Sequence, residues 1–258
     1  MAFRGVDFAH LVRFNSSTSC KLIDSYESYV RSQLMDKSAE VKSCTFAPSS
    51  FRCDRKNWFR LRGTKTDVLT NPDLVLNFQA EVGTARHAAI QERMQSIYGN
   101  DWLDVEEYLA TRMPKIPYEY TVSKHGLETL VSITDPPVRF ACDGLIRING
   151  TVYLLEIKTA DYKSWDSLTA PKDVHIDQIR CYCALLGIHN VLVLYEDRQH
   201  GELKCFEISF TDADLQSVMD KFKYIQRMAD SNLAPARLDF SDYMCLNCEY
   251  RVKCAQWG

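Results

Sequence analysis

The chain has 258 residues, of which 46% are hydrophobic and 25% are charged, and its formal net charge is −3. This composition is ordinary for a globular protein and excludes a uniformly basic nucleic-acid coat, although a local basic patch remains compatible with it. The sequence has no apolar run of the roughly eighteen residues that a membrane span needs, and its start lacks the apolar core of a signal peptide. We therefore expect an unsecreted, cytoplasmic protein without a membrane partner.

The first half of the chain is helical in pattern and then changes to strands. Periodic apolar residues indicate helices over 21–36, within 47–61 after an initial turn, and over 72–98. Over 116–159 the residues Val, Ile, Thr and Tyr become frequent, which indicates strands.

The second half alternates between helix and strand. We expect a helix over 173–187, strands over 190–196 and 203–210, and a long helix that begins at Thr211, where Asp214 completes a pattern like a capping box. This order of elements predicts the α/β fold class, with a mixed central sheet flanked by helices.

Asn149-Gly150, between two β-rich segments, is the strongest signal for a tight turn in the sequence. A two-residue loop at this point sets the register of a hairpin, and counting outward from it brings Asp143 opposite Glu156. Lys158 lies two residues beyond Glu156 and therefore points to the same face of the strand. The sequence thus predicts two carboxylates and a lysine at one end of a hairpin.

Two carboxylates that face each other repel unless a positive charge lies between them. A divalent cation with oxygen ligands, here Mg²⁺ or Mn²⁺ on Asp143 and Glu156, is the usual solution. Such a cation polarises a phosphodiester and activates a water, and Lys158 would orient that water or stabilise the phosphate charge. The alternative is a surface hairpin with an ordinary ion pair between Glu156 and Lys158, but the apolar residues on both faces of the second strand argue against it.

Asp143 followed by Glu156-Ile157-Lys158 resembles the Asp…Glu-x-Lys signature of the PD-(D/E)XK nucleases, with Cys142 where a proline usually stands. The resemblance implies a restriction-endonuclease-like core and a metal-dependent nuclease whose catalytic residues are Asp143, Glu156 and Lys158. It also admits the Ile157 carbonyl as a further metal ligand.

Two flanking motifs resemble those of the RecB-like nucleases. Gln178 and Tyr182 share one helical face and match a Gln-x-x-x-Tyr motif, which implies a catalytic role and DNA contact near the metal. Taken alone, the pair would indicate an amphipathic helix with a partly buried tyrosine. Upstream, Gly83 and His87 match a Gly-x-x-x-His motif, which implies that His87 is a metal ligand, although a lone histidine in a helix is more often structural.

The C-terminal tail carries three cysteines with the spacing of metal ligands: Cys245, Cys248 and Cys254. Converging thiolates hold either zinc or an iron–sulfur cluster, so these three leave one ligand position to fill. Cys53 is the candidate fourth ligand, and Cys44 is a weaker one. Ten cysteines in an unsecreted chain favour metal binding or buried thiols over a disulfide framework.

One cysteine before the core, with Cys-x₂-Cys-x-Tyr-Arg-x₂-Cys after it, resembles the iron–sulfur RecB-like nucleases. These include AddB-type repair nucleases and CRISPR-associated exonucleases, with relatives in phages, so the expected location is the cytoplasm of a bacterium or of a viral host. The resemblance covers roughly residues 48–258. It implies a structural [4Fe–4S] cluster on four cysteines: Cys53, Cys245, Cys248 and Cys254. A Cys₄ zinc site is the alternative, since ligand type does not separate the two.

Basic and aromatic residues are interleaved after Ser50. The predicted DNA contacts in this segment are Arg52, Arg55, Lys56, Trp58, Arg60 and Arg62. Such a mixture suits a phosphate track with base stacking, as in proteins that bind single strands. The alternative is a solvated helix face with Trp58 and Phe59 packed inward, and for the aromatic residues the two interpretations are equally compatible with the sequence.

Together, these features divide the chain into an N-terminal helical region (1–70), a nuclease core (71–234) and an iron–sulfur tail (235–258). They predict a Mg²⁺- or Mn²⁺-dependent exonuclease that acts on DNA ends, especially single-stranded ones, in recombination, repair, phage DNA processing or CRISPR adaptation. Homo-oligomers and larger DNA-processing complexes are the expected assemblies. Two rival hypotheses are a non-catalytic DNA-end binder and a zinc-stapled interaction protein.

Overall fold

The computed structural model describes residues 17–36, 40–112, 119–125 and 128–257. Its first four helices are α1 (Ser17–Asp36), α2 (Asp54–Leu61), α3 (Leu74–Tyr98) and α4 (Val105–Arg112). The helices predicted over 21–36 and 72–98 are confirmed, and the helix predicted within 47–61 begins at Asp54 after a short 3₁₀ turn. Residues 1–16 of the predicted N-terminal region lie outside the described residues.

The C-terminal helices are α5 (Tyr162–Asp166), α6 (Asp173–Leu186), α7 (Asp212–Asp230), α8 (Tyr243–Leu246) and α9 (Arg251–Gln256). The predicted start of α7 is confirmed, because Thr211 and Asp214 bond each other's backbone in a capping box. The predicted end of α6 is also confirmed, since Gly187 has a φ of 65° and caps the helix in the left-handed conformation.

Within the described ranges, eight strands form two sheets. They are β1 (Trp102–Leu103), β2 (Tyr120–His125), β3 (Glu128–Ile133), β4 (Val138–Cys142), β5 (Gly144–Ile148), β6 (Thr151–Ala160), β7 (Asn190–Asp197) and β8 (Leu203–Ser209). The central sheet has the order β1-β5-β6-β7-β8, and the pair β6–β7 is parallel while the others are antiparallel. The smaller sheet, β2-β3-β4, is antiparallel throughout.

Helices cover both faces of the central sheet. On one face, Ile90 of α3 packs with Leu155 and Ile157 of β6. On the other face, Leu154 of β6 belongs to the main core with Ile179 of α6 and residues of α7. Alternate β6 residues therefore enter opposite layers, as the pleat of a strand requires. The predicted α/β architecture, a mixed sheet flanked by helices, is confirmed.

The β5–β6 hairpin has the predicted register as far as the pair Gly144–Leu155. Asn149 and Gly150 have φ values of 50° and 82°, the positive values that a two-residue hairpin turn needs. At the other end of β5, a side chain at Gly144 would lie 2.3 Å from the ring of Trp102, so only glycine fits there. The strand can therefore bring its neighbour Asp143 close to the end of β6.

The C-terminal tail packs beside this core against the segment that contains α2 and Asp67. The ring of Phe59 in α2 stacks on the buried Tyr250, with centroids 5.3 Å apart. Asp67 accepts a hydrogen bond from the backbone N–H of Val252 at 2.7 Å. These contacts fix the C-terminal tail against the N-terminal segment. Among the described residues, none of the helices combines the length and the apolar character that crossing a bilayer requires.

Candidate metal centre and cysteine site

Asp143 stands between β4 and β5, at the point where the two sheets join, and is buried. Its Oδ2 accepts a hydrogen bond from the backbone N–H of Ile157 at 2.7 Å. The side chain of Gln91 donates to the Asp143 carbonyl oxygen, also at 2.7 Å. The β5–β6 ladder therefore ends at the pair Gly144–Leu155, one step short of the predicted pair Asp143–Glu156. Instead, the Asp143 carboxylate accepts a hydrogen bond from the β6 backbone next to Glu156.

Glu156 and Lys158 form a close ion pair at the same end of β6. The Lys158 Nζ lies 2.6 Å from Glu156 Oε1, and the two side chains are only 17% and 3% exposed. An ordinary surface ion pair is thus excluded as the description of these residues. We call Asp143, Glu156, Lys158 and His87 the carboxylate site.

Burial and charge determine the protonation of this pair. The pKa of Glu156 is raised to about 7, chiefly by burial; the charge of Lys158 opposes this rise and the charge of Asp143 adds to it. Burial lowers the pKa of Lys158, but the carboxylates of Glu156 and Asp143 outweigh burial, so the net pKa is raised and the lysine stays charged. One ammonium group therefore faces two buried carboxylates, and further positive charge would stabilise the site.

Gln178 and Tyr182 of α6 lie next to Lys158. The Lys158 Nζ donates to Gln178 Oε1 at 3.2 Å, and Gln178 Nε2 donates to the Tyr182 hydroxyl at 2.5 Å. The Tyr182 ring is buried and stacks on Phe140 at 4.8 Å. Tyr182 therefore supports Gln178, and through it the direction of the Lys158 side chain, rather than contacting a DNA strand itself.

His87 belongs to α3 and lies near Asp143 on the face of the central sheet opposite to α6. Its Nδ1 lies 3.7 Å from Asp143 Oδ1, which is too far for a hydrogen bond but suits two atoms that ligate one ion. Glu128 joins them, because the ligand atoms of His87, Glu128 and Asp143 all lie within 4.8 Å of one another. Two carboxylates and an imidazole fit Mg²⁺ or Mn²⁺.

Glu128 and Gln91 were not predicted from the sequence, although the spacing of Gln91 from His87 was a signal for Gln91. The loop between β3 and β4 has four residues, and the register it sets pairs Thr129 with Cys142, so the next step brings Glu128 beside Asp143. Gln91 follows His87 by four residues, which places both on one face of α3.

A cavity of about 330 Å³ opens beside Asp143. Its lining includes Trp102, Lys124, Thr129 and Gly144. An aromatic ring, a largely exposed lysine and a buried carboxylate thus surround a space of the size that small ligands occupy.

Four cysteines from the two ends of the chain line a second cavity: Cys53, Cys245, Cys248 and Cys254. We call this group the cysteine site. Cys44, the weaker candidate ligand, is exposed and does not line this cavity. Burial raises the pKa of Cys53, and the nearby Cys245 and Cys254 raise it further. The donor set of four thiols suits a thiophilic metal or cluster, whose binding would displace the thiol protons.

The predicted DNA track on α2 needs correction. Trp58 is fully buried and donates a hydrogen bond to the Met228 carbonyl, so it cannot stack on bases. Arg55 is also buried and donates to the Pro235 carbonyl at 2.7 Å. Lys56 is only 16% exposed and pairs with Glu249 at 2.7 Å. These side chains attach α2 to α7 and the tail.

The remaining three arginines of this segment differ in exposure. Arg52 is partly exposed and lies 3.9 Å from the carboxylates of both Asp173 and Asp242. Arg60 is partly buried and donates to the Thr45 carbonyl at 3.2 Å. Arg62 is exposed, although its guanidinium lies over the Trp58 ring, so Arg62 is the predicted contact most open to a DNA strand.

No protein-family profile and no curated protein sequence matches the chain. Among solved structures, SSO0001 is similar with a TM-score of 0.45 and 12% identity, over 93% of this chain and 98% of that chain. The alkaline exonuclease LHK-Exo from Laribacter hongkongensis is similar with a TM-score of 0.48 and 16% identity, over 84% of this chain and 96% of that chain. Its complex with dAMP has a TM-score of 0.47. All three likenesses are distant.

Proposed function

We propose that the chain is a Mg²⁺- or Mn²⁺-dependent deoxyribonuclease of the PD-(D/E)XK type. The observation that carries the proposal is the buried pair Asp143 and Glu156, brought together at the end of the sheet with Lys158 2.6 Å from Glu156. Holding two carboxylates away from water is costly unless a cation is bound between them. If this site had only a structural role, apolar residues in place of the carboxylates would stabilise the fold more.

In this proposal each residue has a stated task. Asp143, Glu156 and His87 hold the cation, and the Ile157 carbonyl is a further ligand. When bound, the cation polarises the phosphodiester and lowers the pKa of a water molecule. Lys158, kept charged by its carboxylate neighbours, orients that water or stabilises the charge on the phosphate. Gln178 fixes the position of the Lys158 ammonium group.

The proposal extends to the substrate. The open cavity beside Asp143 offers room for a nucleotide next to the scissile phosphate. From the motif resemblance we further propose that the enzyme acts on DNA ends, especially single-stranded ones, in the cytoplasm of a bacterium or of a viral host. Recombination, repair, phage DNA processing or CRISPR adaptation are the processes such an activity would serve.

The cysteine site holds a structural [4Fe–4S] cluster in this proposal. Its support is the convergence of four thiols at one cavity and the resemblance of their sequence pattern to that of the iron–sulfur RecB-like nucleases. The cluster would join the segment over 1–70 to the tail over 235–258 and so enclose the core over 71–234. Zinc is the alternative occupant.

The test is a nuclease assay on end-labelled single- and double-stranded DNA, with Mg²⁺, Mn²⁺ or EDTA, using anaerobically purified protein. We expect cleavage that needs the cation and that Glu156→Gln reduces by about a thousandfold or more. Glu202→Gln makes the same chemical change at an exposed position and should leave the rate unchanged. Equal activity of Glu156→Gln and the wild type would reject the proposal, and binding of DNA ends without cleavage would favour a non-catalytic DNA-end binder.

A further inference from the structure

His175, in the first turn of α6, is a partly exposed histidine to which the proposed mechanism gives no task. Its Nδ1 lies 2.6 Å from the Tyr195 hydroxyl, which also accepts a hydrogen bond from the backbone N–H of Lys172 at 3.2 Å. Tyr195 is buried on β7 and pairs with Lys158 in the parallel ladder between β6 and β7. The ring of His175 is therefore held at one nitrogen, near the lysine of the carboxylate site.

These hydrogen bonds determine which ring nitrogen carries the proton. Burial, together with the charges of Lys158 and Lys172, lowers the pKa of His175 to about 3, so the ring is neutral. Among the described residues, the hydrogen-bond partners of the Tyr195 hydroxyl are the Lys172 N–H and His175 Nδ1, so Nδ1 is the acceptor for the hydroxyl proton. A neutral imidazole that accepts at Nδ1 carries its own proton on Nε2. Nε2 of His175 is therefore a hydrogen-bond donor.

This donor is open to a ligand. No residue in the described ranges accepts a hydrogen bond from His175 Nε2, and Nε2 is not one of the side-chain atoms that are buried without a partner. The two nitrogens of an imidazole point in nearly opposite directions, so a ring held at Nδ1 by Tyr195 directs Nε2 away from that residue. An N–H group with a fixed direction is thus available at the surface beside the carboxylate site.

The charges around this donor favour an anion as its ligand. Lys158 and Lys172 both lie close enough to His175 to lower its pKa by their charge, and Lys172 is exposed. Asp173 stands two positions before His175 and therefore points to a different side of the helix, where its carboxylate lies 3.9 Å from Arg52. Two lysines and a neutral N–H donor are the types of group that bind a phosphate.

We propose that His175 donates a hydrogen bond from Nε2 to the DNA strand, at the phosphate next to the scissile one. This inference rests on the proposed function, in which Lys158 faces the scissile phosphate. His175 and Gln178 are three positions apart on one face of α6, a separation of about 5–6 Å, and Gln178 Oε1 lies 3.2 Å from the Lys158 ammonium group. His175 is therefore placed for a neighbouring phosphate, and the exposed Lys172 lies beyond it on the same path.

A contact of this kind affects binding rather than the chemical step. The hydrogen bond to a phosphate that does not react is the same before and during cleavage, so its loss should raise KM and leave kcat nearly unchanged. Hydrogen bonds to charged groups contribute more than those between neutral groups. We therefore expect removal of the donor to weaken binding of the strand by about tenfold or more.

The test compares two substitutions of the full chain that each keep one half of the imidazole. In His175→Asn the amide stands at the place of Nδ1 and can still bond Tyr195, whereas in His175→Gln it stands at the place of Nε2 and can still donate to the phosphate. The measurements are the Kd of a labelled single strand in EDTA, and KM and kcat in Mn²⁺. His175→Asn should raise Kd and KM about tenfold, and His175→Gln should stay within about threefold of the wild type. His189→Asn, the same change beyond the other end of α6, is the matched control and should equal the wild type.

Circular dichroism and thermal unfolding check that the variants are folded, and His175→Ala replaces His175→Asn if the latter is not. Wild-type affinity of His175→Asn, or a His175→Gln variant that binds as weakly as His175→Asn, would overturn the inference. Wild-type affinity of His175→Asn with weak binding by His175→Gln would show that the histidine acts only through Tyr195. A wild type that binds the strand without cleaving it in Mn²⁺ would overturn the proposed function, and the Kd values would still decide the inference. A wild type that neither binds nor cleaves DNA would overturn both.

Discussion

The carboxylate site and the cysteine site are held together in different ways. At the carboxylate site, backbone pairing and short polar contacts already fix the side chains, as the Asp143–Ile157 hydrogen bond and the Glu156–Lys158 ion pair illustrate. At the cysteine site, four thiols from opposite ends of the chain meet at a cavity, supported by packing such as that of Phe59 on Tyr250.

This difference indicates what each bound group would do. A site whose side chains are already held by the sheet can exchange its cation without unfolding, which suits catalysis. A site that joins distant segments contributes its binding energy to folding. Losing the first group should therefore remove activity, and losing the second should remove stability.

The largest expected effect is on catalysis. Lys158→Ala should lower kcat on end-labelled DNA by about a hundredfold to a thousandfold, because the charge that faces the phosphate is lost. The metal content of the cysteine site should not change. Lys163→Ala, at an exposed lysine of α5, is the control. A Lys158→Ala rate within tenfold of the wild type would contradict the assigned role.

The next largest effect concerns stability. Cys248→Ser should remove the bound iron and lower the free energy of unfolding by roughly 3 kcal/mol or more, because a structural metal contributes directly to folding. Cys205→Ser alters an exposed thiol on β8 and should have neither effect. The measurements are iron and zinc analysis, visible absorbance and chemical unfolding.

Unchanged metal content in Cys248→Ser would remove the cysteine site from the proposal. Zinc instead of iron in the wild type would support the alternative occupant. In either case the carboxylate site should still bind Mn²⁺ in whatever fraction of the variant stays folded, and failure to do so would show that the two sites are not independent.

A smaller effect is expected from pH. Burial, together with the charges of Lys158 and Lys172, lowers the pKa of His175 to about 3. The His175 ring shares a hydrogen bond with the Tyr195 hydroxyl. In the unfolded chain the pKa is near 6.5. Below that pH the unfolded state binds a proton that the folded state does not, so the free energy of unfolding falls as pH falls from about 6.5 toward 3.

Between pH 7 and pH 5 this residue should cost the folded state roughly 1–2 kcal/mol. His175→Asn should remove that part of the pH dependence, as measured by urea unfolding at both pH values in the same metal state. An equal pH dependence in the variant and the wild type would mean that other groups control the acid sensitivity.

The smallest effect should come from Arg62, the most open of the predicted DNA contacts. Arg62→Ala should weaken binding of a labelled single strand by a few-fold and reduce the salt dependence by about one counterion. Lys223→Ala, at an exposed position of α7, is the control. Anisotropy in EDTA measures both, and equal affinities at low salt would exclude Arg62 from the DNA path.

Part of the carboxylate site could be predicted from the sequence, because the turn at Asn149-Gly150 determines the register of the β5–β6 hairpin. Asn149-Gly150 adopts the positive φ values that its composition favours, so the register of β5 and β6 followed from counting. The turn between β3 and β4 contains no such signal, and the approach of Glu128 to Asp143 was therefore missed. The direction of the Asp143 carboxylate, toward the Ile157 N–H rather than along the ladder, depends on contacts that counting cannot supply.

The α2 segment shows why the predicted DNA track failed in part. Its basic and aromatic residues alternate, so the sequence is compatible with the aromatic side chains either packed into the core or exposed to DNA. Packing against α7 and the tail determines the outcome. Trp58 is buried and donates a hydrogen bond to a carbonyl of α7, and Arg55 donates one to a carbonyl of the tail. Because a long basic side chain can cover apolar surface or bond a carbonyl, its charge alone does not make it a ligand contact.

The sequence by itself determined the alternation of helices and strands, the hairpin register and the spacing of the three tail cysteines, since these depend on neighbours along the chain. Only the tertiary structure decided that Cys53 rather than Cys44 lines the cavity of the cysteine site, that Glu128 stands beside His87, and that Arg55 is buried. Which side chains are buried, and which distant residues meet, depends on which surfaces pack together. Packing brings together residues that are far apart in the sequence, and the sequence around each of them does not indicate its partner.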